Sequence, residues 1–327
     1  MTSVLISEVG PRDGLQSIKR AMPTAVKHRW IRALAAAGLR EIEVASFVPP
    51  ALLPQMADAP DVVREALKIP GITVLALAPN LRGVQNAIMA GARKITLPVS
   101  ASEAHSQSNV HKSCLVAIEE IGHVCRFRDS LPPAERPQIE VGISTAFGCT
   151  LQGAVSEDWV MEMAVRLAES GADSVGLSDS VGYANPAQVR RMFTRLHQEL
   201  GRKAGGAHLH NTRGQGLANA IAALEIGVTT FDASQGGIGG CPYAPGATGN
   251  IVTEDLVYLL ESMGVDTGVD LEKLIAARQV LLEGLPGEAI YGYVANAGVH
   301  KGFRYASLAS GNRNPDFAVA AMNAEAA

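Results

Sequence analysis

The sequence predicts an α/β protein, a closed (β/α)8 TIM barrel with a short helical C-terminal extension. Three observations carry this. Short β-rich runs alternate with helical patterns along the chain, which argues for a parallel sheet. Eight such units fit into about 250 residues, the usual size of a (β/α)8 barrel. The first strand is followed by neither a G-x-G-x-x-G nor a P-loop, which disfavours an open, doubly wound sheet.

The elements follow in order. Val4-Leu5-Ile6 opens a strand that ends at Glu8, where Gly10, Pro11 and Gly14 break it. Thr24 can cap a helix through Trp30, Ile31 and Leu34, closed by Gly38. Residues 41–44 read as the second strand, followed by a Pro-rich loop over 46–60 and a helix over 62–67. The rhythm then repeats: strand 73–77, helix 81–90 closed by Gly91, strand 94–98, a polar loop over 100–109 and a helix over 113–127. Strand 139–143, helix 157–169 and strand 174–177 come next. Helix 186–200 opens on Pro186, in the first turn, where proline fits. Strand 206–210, helix 217–226, strand 229–233 and helix 253–263 complete the eight units. The barrel is expected to occupy residues 1–264. The extension takes 265–327, with helices over 271–282 and 318–327 and a frayed end.

Composition bounds the function. Hydrophobic residues make up 47% of the 327, charged residues 18% and aromatics 5%, so an aliphatic core can be filled. A net charge of -4 gives no electrostatic case for nucleic acid or for an anionic membrane. No signal-peptide pattern opens the chain, and no apolar run is long enough to span a bilayer. Cys114, Cys125, Cys149 and Cys241 form no CxxC pattern, so reduced thiols in a cytoplasmic protein are expected. A homodimer is the expected assembly, as the commonest one for soluble oligomers.

The chemistry gathers around Ala207-His208-Leu209-His210-Asn211. In a strand, residues i and i+2 share a face, so His208 and His210 project together. Two imidazoles make half of a metal site, and a carboxylate is needed to help hold a hard divalent ion. Asp13, in Gly10-Pro11-Arg12-Asp13-Gly14, is the candidate. A closed barrel sets strand one beside strand eight and close to strand seven, so the long sequence gap is no obstacle. Active sites of such barrels lie at the C-terminal ends of the strands. Arg12, Glu43, Asn80, Ser102, Glu103, Thr145, Asp179, Asp232 and Ser234 all fall there. Each has a plainer reading: packing for the histidines, a turn or surface ion pair for Arg12-Asp13. Glu43, on an otherwise apolar strand, needs a partner or a metal shell if buried. Their coincidence at one rim favours a site. Residues 236–250 form a glycine-rich loop that can move and close over substrate, with Cys241 as a proton donor or acceptor. The plainer reading is a connector with an incidental thiol.

These motifs resemble the 3-hydroxy-3-methylglutaryl-CoA lyase family, within the wider group of barrel metal-dependent lyases and condensing enzymes. The resemblance rests on Glu8-Val9-Gly10-Pro11-Arg12-Asp13-Gly14-Leu15-Gln16, on Ser46-Phe47-Val48 with Pro54-Gln55-Met56, on Ala207-His208-Leu209-His210, and on residues 236–250 with Thr253-Glu254-Asp255-Leu256. The cysteine loop is its most specific piece and favours the lyases over the condensing synthases. The resemblance implies a divalent ion, magnesium or manganese, bound by Asp13, His208 and His210, with Asn250 as a further ligand or neighbour. It implies that Arg12 faces the thioester carbonyl, that Cys241 assists proton transfer, that Glu43 positions the metal shell or Arg12, and that Asp179 holds the polar network together. The implied reaction is reverse Claisen cleavage of an acyl-CoA to acetyl-CoA and a ketoacid, acetoacetate in the leading case. A related lyase acting on citramalyl-CoA and an acetyl-CoA-dependent condensing acyltransferase are the alternatives. Asn211, Arg213 and Ser178-Asp179-Ser180 depart from the commoner pattern, and they bear on which acyl group is cleaved.

Overall fold

The computed structural model describes residues 3–240 and 249–309. Eight parallel strands close into one barrel in sequence order. They are β1 (Leu5–Glu8), β2 (Glu41–Ser46), β3 (Thr73–Leu77), β4 (Lys94–Ser100), β5 (Gln138–Ser144), β6 (Ser174–Asp179), β7 (Ala204–Leu209) and β8 (Thr230–Ala233). Between and after them lie α1 (Thr24–Ala36), α2 (Ala59–Ala66), α3 (Leu81–Ala90), α4 (Glu103–Val110), α5 (Cys114–Ser130), α6 (Glu157–Glu169), α7 (Pro186–Leu200), α8 (Gly216–Leu224) and α9 (Thr253–Ser262). After α9 come α10 (Leu271–Gly284) and the short α11 (Tyr293–Ala297) and α12 (Ala306–Ala309).

Strand alternation divides the barrel into two chemistries. On β4, Ile95, Leu97 and Val99 face the helices and are buried, whereas Lys94, Thr96 and Pro98 take the opposite, partly accessible face. The outward row meets apolar helix faces such as Trp30, Ile31 and Leu34 of α1, all buried in the main core. The inward row is polar, and it carries the residues of the site. Helix α10 packs on α1 and α9. Among the described residues no helix is long and apolar enough to cross a membrane.

Three local expectations are corrected. The polar loop over 100–109 contains α4, capped by Ser102, whose Oγ accepts the His105 N–H at 3.1 Å. Its Glu-Ala-His-Ser-Gln-Ser-Asn-Val run has no apolar stripe, so periodicity hid it. Helix α2 begins at Ala59, earlier than expected, because Pro60 belongs to its first turn and not to the loop. Residues 10–14 do not merely break β1; they wind into one π-helical turn. The helix expected over 318–327 lies outside the described residues.

Candidate active site

The turn after β1 is the first component. The N–H groups of Arg12, Asp13 and Gly14 all return to the Val9 carbonyl, at 3.1, 2.7 and 3.3 Å. This widened turn, frequent at functional sites, sets Arg12 and Asp13 side by side over the barrel. Asp13, His208 and His210 meet there, with one ligand atom from each lying within 4.8 Å of the others. His208 is on β7, and His210, just past its end, bridges to Asn250. The two imidazoles face each other, Nε2 to Nε2, at 3.1 Å.

The surroundings prepare these atoms to bind a cation. Asp232 Oδ2 lies 2.9 Å from His208 Nδ1, which leaves Nε2 of that ring as the inward atom. Asn250 Nδ2 donates to Asp13 Oδ2 at 2.7 Å, while its buried Oδ1 has no hydrogen-bond partner. Two imidazoles, a carboxylate and an unpartnered amide oxygen are a donor set that fits a divalent ion. Burial disfavours charge on Asp13, but Arg12 and the two histidines outweigh it and hold the carboxyl below its usual range. Burial and the facing His208 push His210 down to about 3, so this ring is neutral. Burial acts against His208 as well, yet Asp232 prevails and its pKa rises. Two facing imidazoles share at most one proton, and it belongs on the side of Asp232.

Arg12 is fixed from two sides. Its Nε and Nη2 both reach Glu43 Oε2 at 2.5 Å, and its Nη1 reaches Asp13 Oδ1 at 2.6 Å. Burial works against the guanidinium, but Glu43 and Asp13 outweigh it, so Arg12 stays charged. Burial pushes Glu43 up to about 7 against the pull of Arg12, and its Oε1 is buried without a partner. A preorganised cation thus stands beside the Asp13–His cluster.

The remaining candidates are placed differently. Asp179, at the end of β6, does not join the cluster. Its two oxygens accept the N–H groups of Tyr183 and Ala184, at 2.8 and 3.1 Å, and so clamp the next loop. Arg213 is held by that loop: it donates to the carbonyls of Val181 and Gly182 and stacks 4.5 Å over the Tyr183 ring. Asn211 Oδ1 accepts the Gly216 N–H at 3.0 Å, so amide in place of acid keeps the acceptor that starts α8. Cys241 lies outside the described residues. Gly239, two residues before it, packs so closely on the cluster that a Cβ would stand 2.9 Å from Asp13 Oδ2.

Asp232, which the sequence places at the rim without a role, is the group that orients His208. Its signal was parity: Phe231 is fully buried, and Asp232 pairs in register with His208, so both face inward. Lys94 was missed. It stands inside the barrel between Glu41 and Glu140, at 2.9 and 2.8 Å.

Comparison with known proteins agrees with this geometry. The HMGL-like family model matches residues 3–281. A mitochondrial hydroxymethylglutaryl-CoA lyase from Rattus norvegicus is 43% identical over 284 residues, covering 86% of each chain. A Bacillus subtilis hydroxymethylglutaryl-CoA lyase is 40% identical over 280 residues, 86% of this chain and 92% of that one. Among solved structures, hydroxymethylglutaryl-CoA lyase from Pseudomonas aeruginosa superposes with a TM-score of 0.85 at 38% identity, covering 90% of this chain and 97% of that one. An HMG-CoA lyase from Acinetobacter baumannii, in complex with coenzyme A and 3-methylmalate, gives 0.86 at 34% identity, covering 92% and 97%.

Proposed function

The chain belongs to the HMGL-like family and is a carbon–carbon lyase, and on that premise we propose that it cleaves 3-hydroxy-3-methylglutaryl-CoA to acetyl-CoA and acetoacetate. The observation that carries the reading is the convergence of Asp13, His208 and His210 beside a charged, doubly anchored Arg12. Asp13, His208 and His210, with Asn250 Oδ1, would hold a divalent ion, magnesium or manganese. When bound, such an ion supplies Lewis-acid polarisation of the substrate's oxygens.

The protein's own groups do the rest. The tertiary hydroxyl gives up its proton, its carbon becomes the ketone of acetoacetate, and the electron pair of the broken C–C bond moves onto the thioester enolate. Arg12 faces the oxygen on which that charge develops. A fixed guanidinium favours this state over the neutral thioester, so it lowers the barrier and does not merely tighten binding. Glu43 holds Arg12 in place through Nε and Nη2. Asp179 holds the β6–α7 loop at the same rim. Cys241 returns a proton to the enolate carbon, giving the methyl group of acetyl-CoA. A cytoplasmic homodimer completes the reading.

Acetyl-CoA release is the test, with and without Mn2+ or Mg2+, beside citramalyl-CoA as a second substrate. Metal-dependent cleavage of the first substrate supports the reading, as does loss of both Mn2+ binding and cleavage in Asp13→Ala. Cleavage of citramalyl-CoA alone would keep the chemistry and change the acyl group. Cleavage that survives without metal overturns it.

A further inference from the structure

We propose that Glu8 is a positioning residue that keeps the turn carrying Arg12 and Asp13 in register with the exit of β8. The proposal rests on the lyase reading, since it assigns those two residues their work. Glu8 ends β1 and is fully buried. Its Oε1 accepts two backbone N–H groups, from Gly10 at 2.9 Å and Gln235 at 2.9 Å. Its Oε2 pairs with the Thr253 hydroxyl at 2.7 Å. One side chain thereby joins the start of the Arg12–Asp13 turn, the segment that runs from β8 to Gly239, and the first residue of α9.

Each anchor is itself fixed. Gln235 accepts from Trp30 Nε1 and donates to the Leu274 carbonyl, both at 2.6 Å. The next residue, Gly236, donates its N–H to Glu254 Oε2 at 3.2 Å, and Glu254 pairs with Arg278 at 2.7 Å. Gly10 cannot be larger, since a Cβ there would stand 2.6 Å from Glu8 Oε1. Glu8 touches neither Arg12 nor the imidazoles, so it acts through Gly10. Burial pushes its carboxyl up to about 8, against the pull of its three donors. Burial thus favours the neutral acid, whose shape a glutamine reproduces. The amide oxygen takes both N–H groups, and the amide NH2 donates to the Thr253 hydroxyl, as the protonated Oε2 of the neutral acid does.

The experiment uses the full-length protein and compares Glu8→Gln, Glu8→Asp and Gly10→Ala. It reads Mn2+ dissociation constants by calorimetry, kcat and KM for the cleavage, and Tm. Glu8→Gln is expected to stay close to wild type in Mn2+ affinity and kcat. Glu8→Asp falls one methylene short of its donors and is expected to weaken Mn2+ binding by about tenfold, the lower bound for groups behind metal ligands. Its kcat should fall more than its KM moves. Gly10→Ala, which displaces the carboxyl without removing it, should reproduce Glu8→Asp and decides the question if that variant does not fold. Wild-type Mn2+ affinity and kcat in Glu8→Asp and Gly10→Ala, with only Tm lowered, would overturn the proposal. So would a Glu8→Gln as impaired as Glu8→Asp, which would make charge and not reach the cause. Failure of the wild type itself to bind Mn2+ or to cleave would show that the lyase reading is wrong, and the inference with it.

Discussion

His208 is useful only in one tautomer. The carboxylate of Asp232, 2.9 Å from Nδ1, keeps a proton on that nitrogen, so the proton that a bound cation would displace is the one on Nε2, between Asp13 and His210. Asp232→Asn can instead offer an N–H to Nδ1, which moves the ring proton to Nε2 and blocks the atom a cation needs. The expected outcome is Mn2+ affinity lowered by about 10- to 100-fold, read by titration, with the fold intact by circular dichroism. Unchanged affinity would mean that Asp232 does not set the tautomer. At this scale the sequence was legible where chemistry announces itself. Two histidines at i and i+2, and an Arg-Asp pair after a strand, are unusual enough to be singled out. Glu8 was visible only as the start of the same motif and had no role, because a carboxylate that ends a strand looks solvated until three buried partners are seen around it. Lys94 was missed for the same reason, since a lysine is ordinarily a surface residue.

Among the elements, the loop from β6 to α7 shows how one strand end organises its surroundings. Asp179 gives one oxygen to the Tyr183 N–H and the other to the Ala184 N–H, and Arg213, from beyond β7, covers the carbonyls of Val181 and Gly182. Asparagine in place of Asp179 has a single acceptor oxygen, so one buried N–H must face an amide donor. Asp179→Asn is therefore expected to cost about 1–3 kcal/mol of stability, read as a lower Tm in calorimetry. Mn2+ binding should be nearly unchanged, because Asp179 lies outside the Asp13–His cluster. Equal stability in the variant would show that the loop finds other partners. Strands and apolar helices were legible from apolar runs and punctuation: β3 and α3 fall where the run over 73–77, Asn80 and Gly91 place them. Helix α4 was not, because a polar helix held by its Ser102 cap and by the Cys114 N–H on Glu103 leaves no hydrophobic period to read.

For the molecule as a whole, the barrel interior carries a charge imbalance. Arg12, Lys94 and the His208 ring paired with Asp232 stand among Asp13, Glu41, Glu43, Glu140 and Asp232, so the acids outnumber the cations even with that ring protonated. Burial raises Glu43 and Glu140, each opposed by its cationic partner, and the charge of Asp232 pushes both further up. An excess of negative charge in a low-dielectric interior disfavours the folded state, and a dication between Asp13, His208 and His210 offsets most of it. The ion therefore belongs to stability as well as to chemistry. Mass action sets the size of the effect: at a free metal concentration of about 100 times Kd, binding to the folded state alone adds about 2.7 kcal/mol. Thermal unfolding in excess chelator should give a Tm lower than in saturating Mn2+, with the difference growing with metal concentration. Asp13→Asn should flatten that dependence, since it removes the one carboxylate of the ligand set. It should also lower the metal-free Tm relative to wild type, since Arg12 and the two histidines favour the ionised carboxyl that the amide replaces. A wild-type Tm that is identical in chelator and in millimolar Mn2+ would mean that no cation binds, and the charge imbalance would need another counterion.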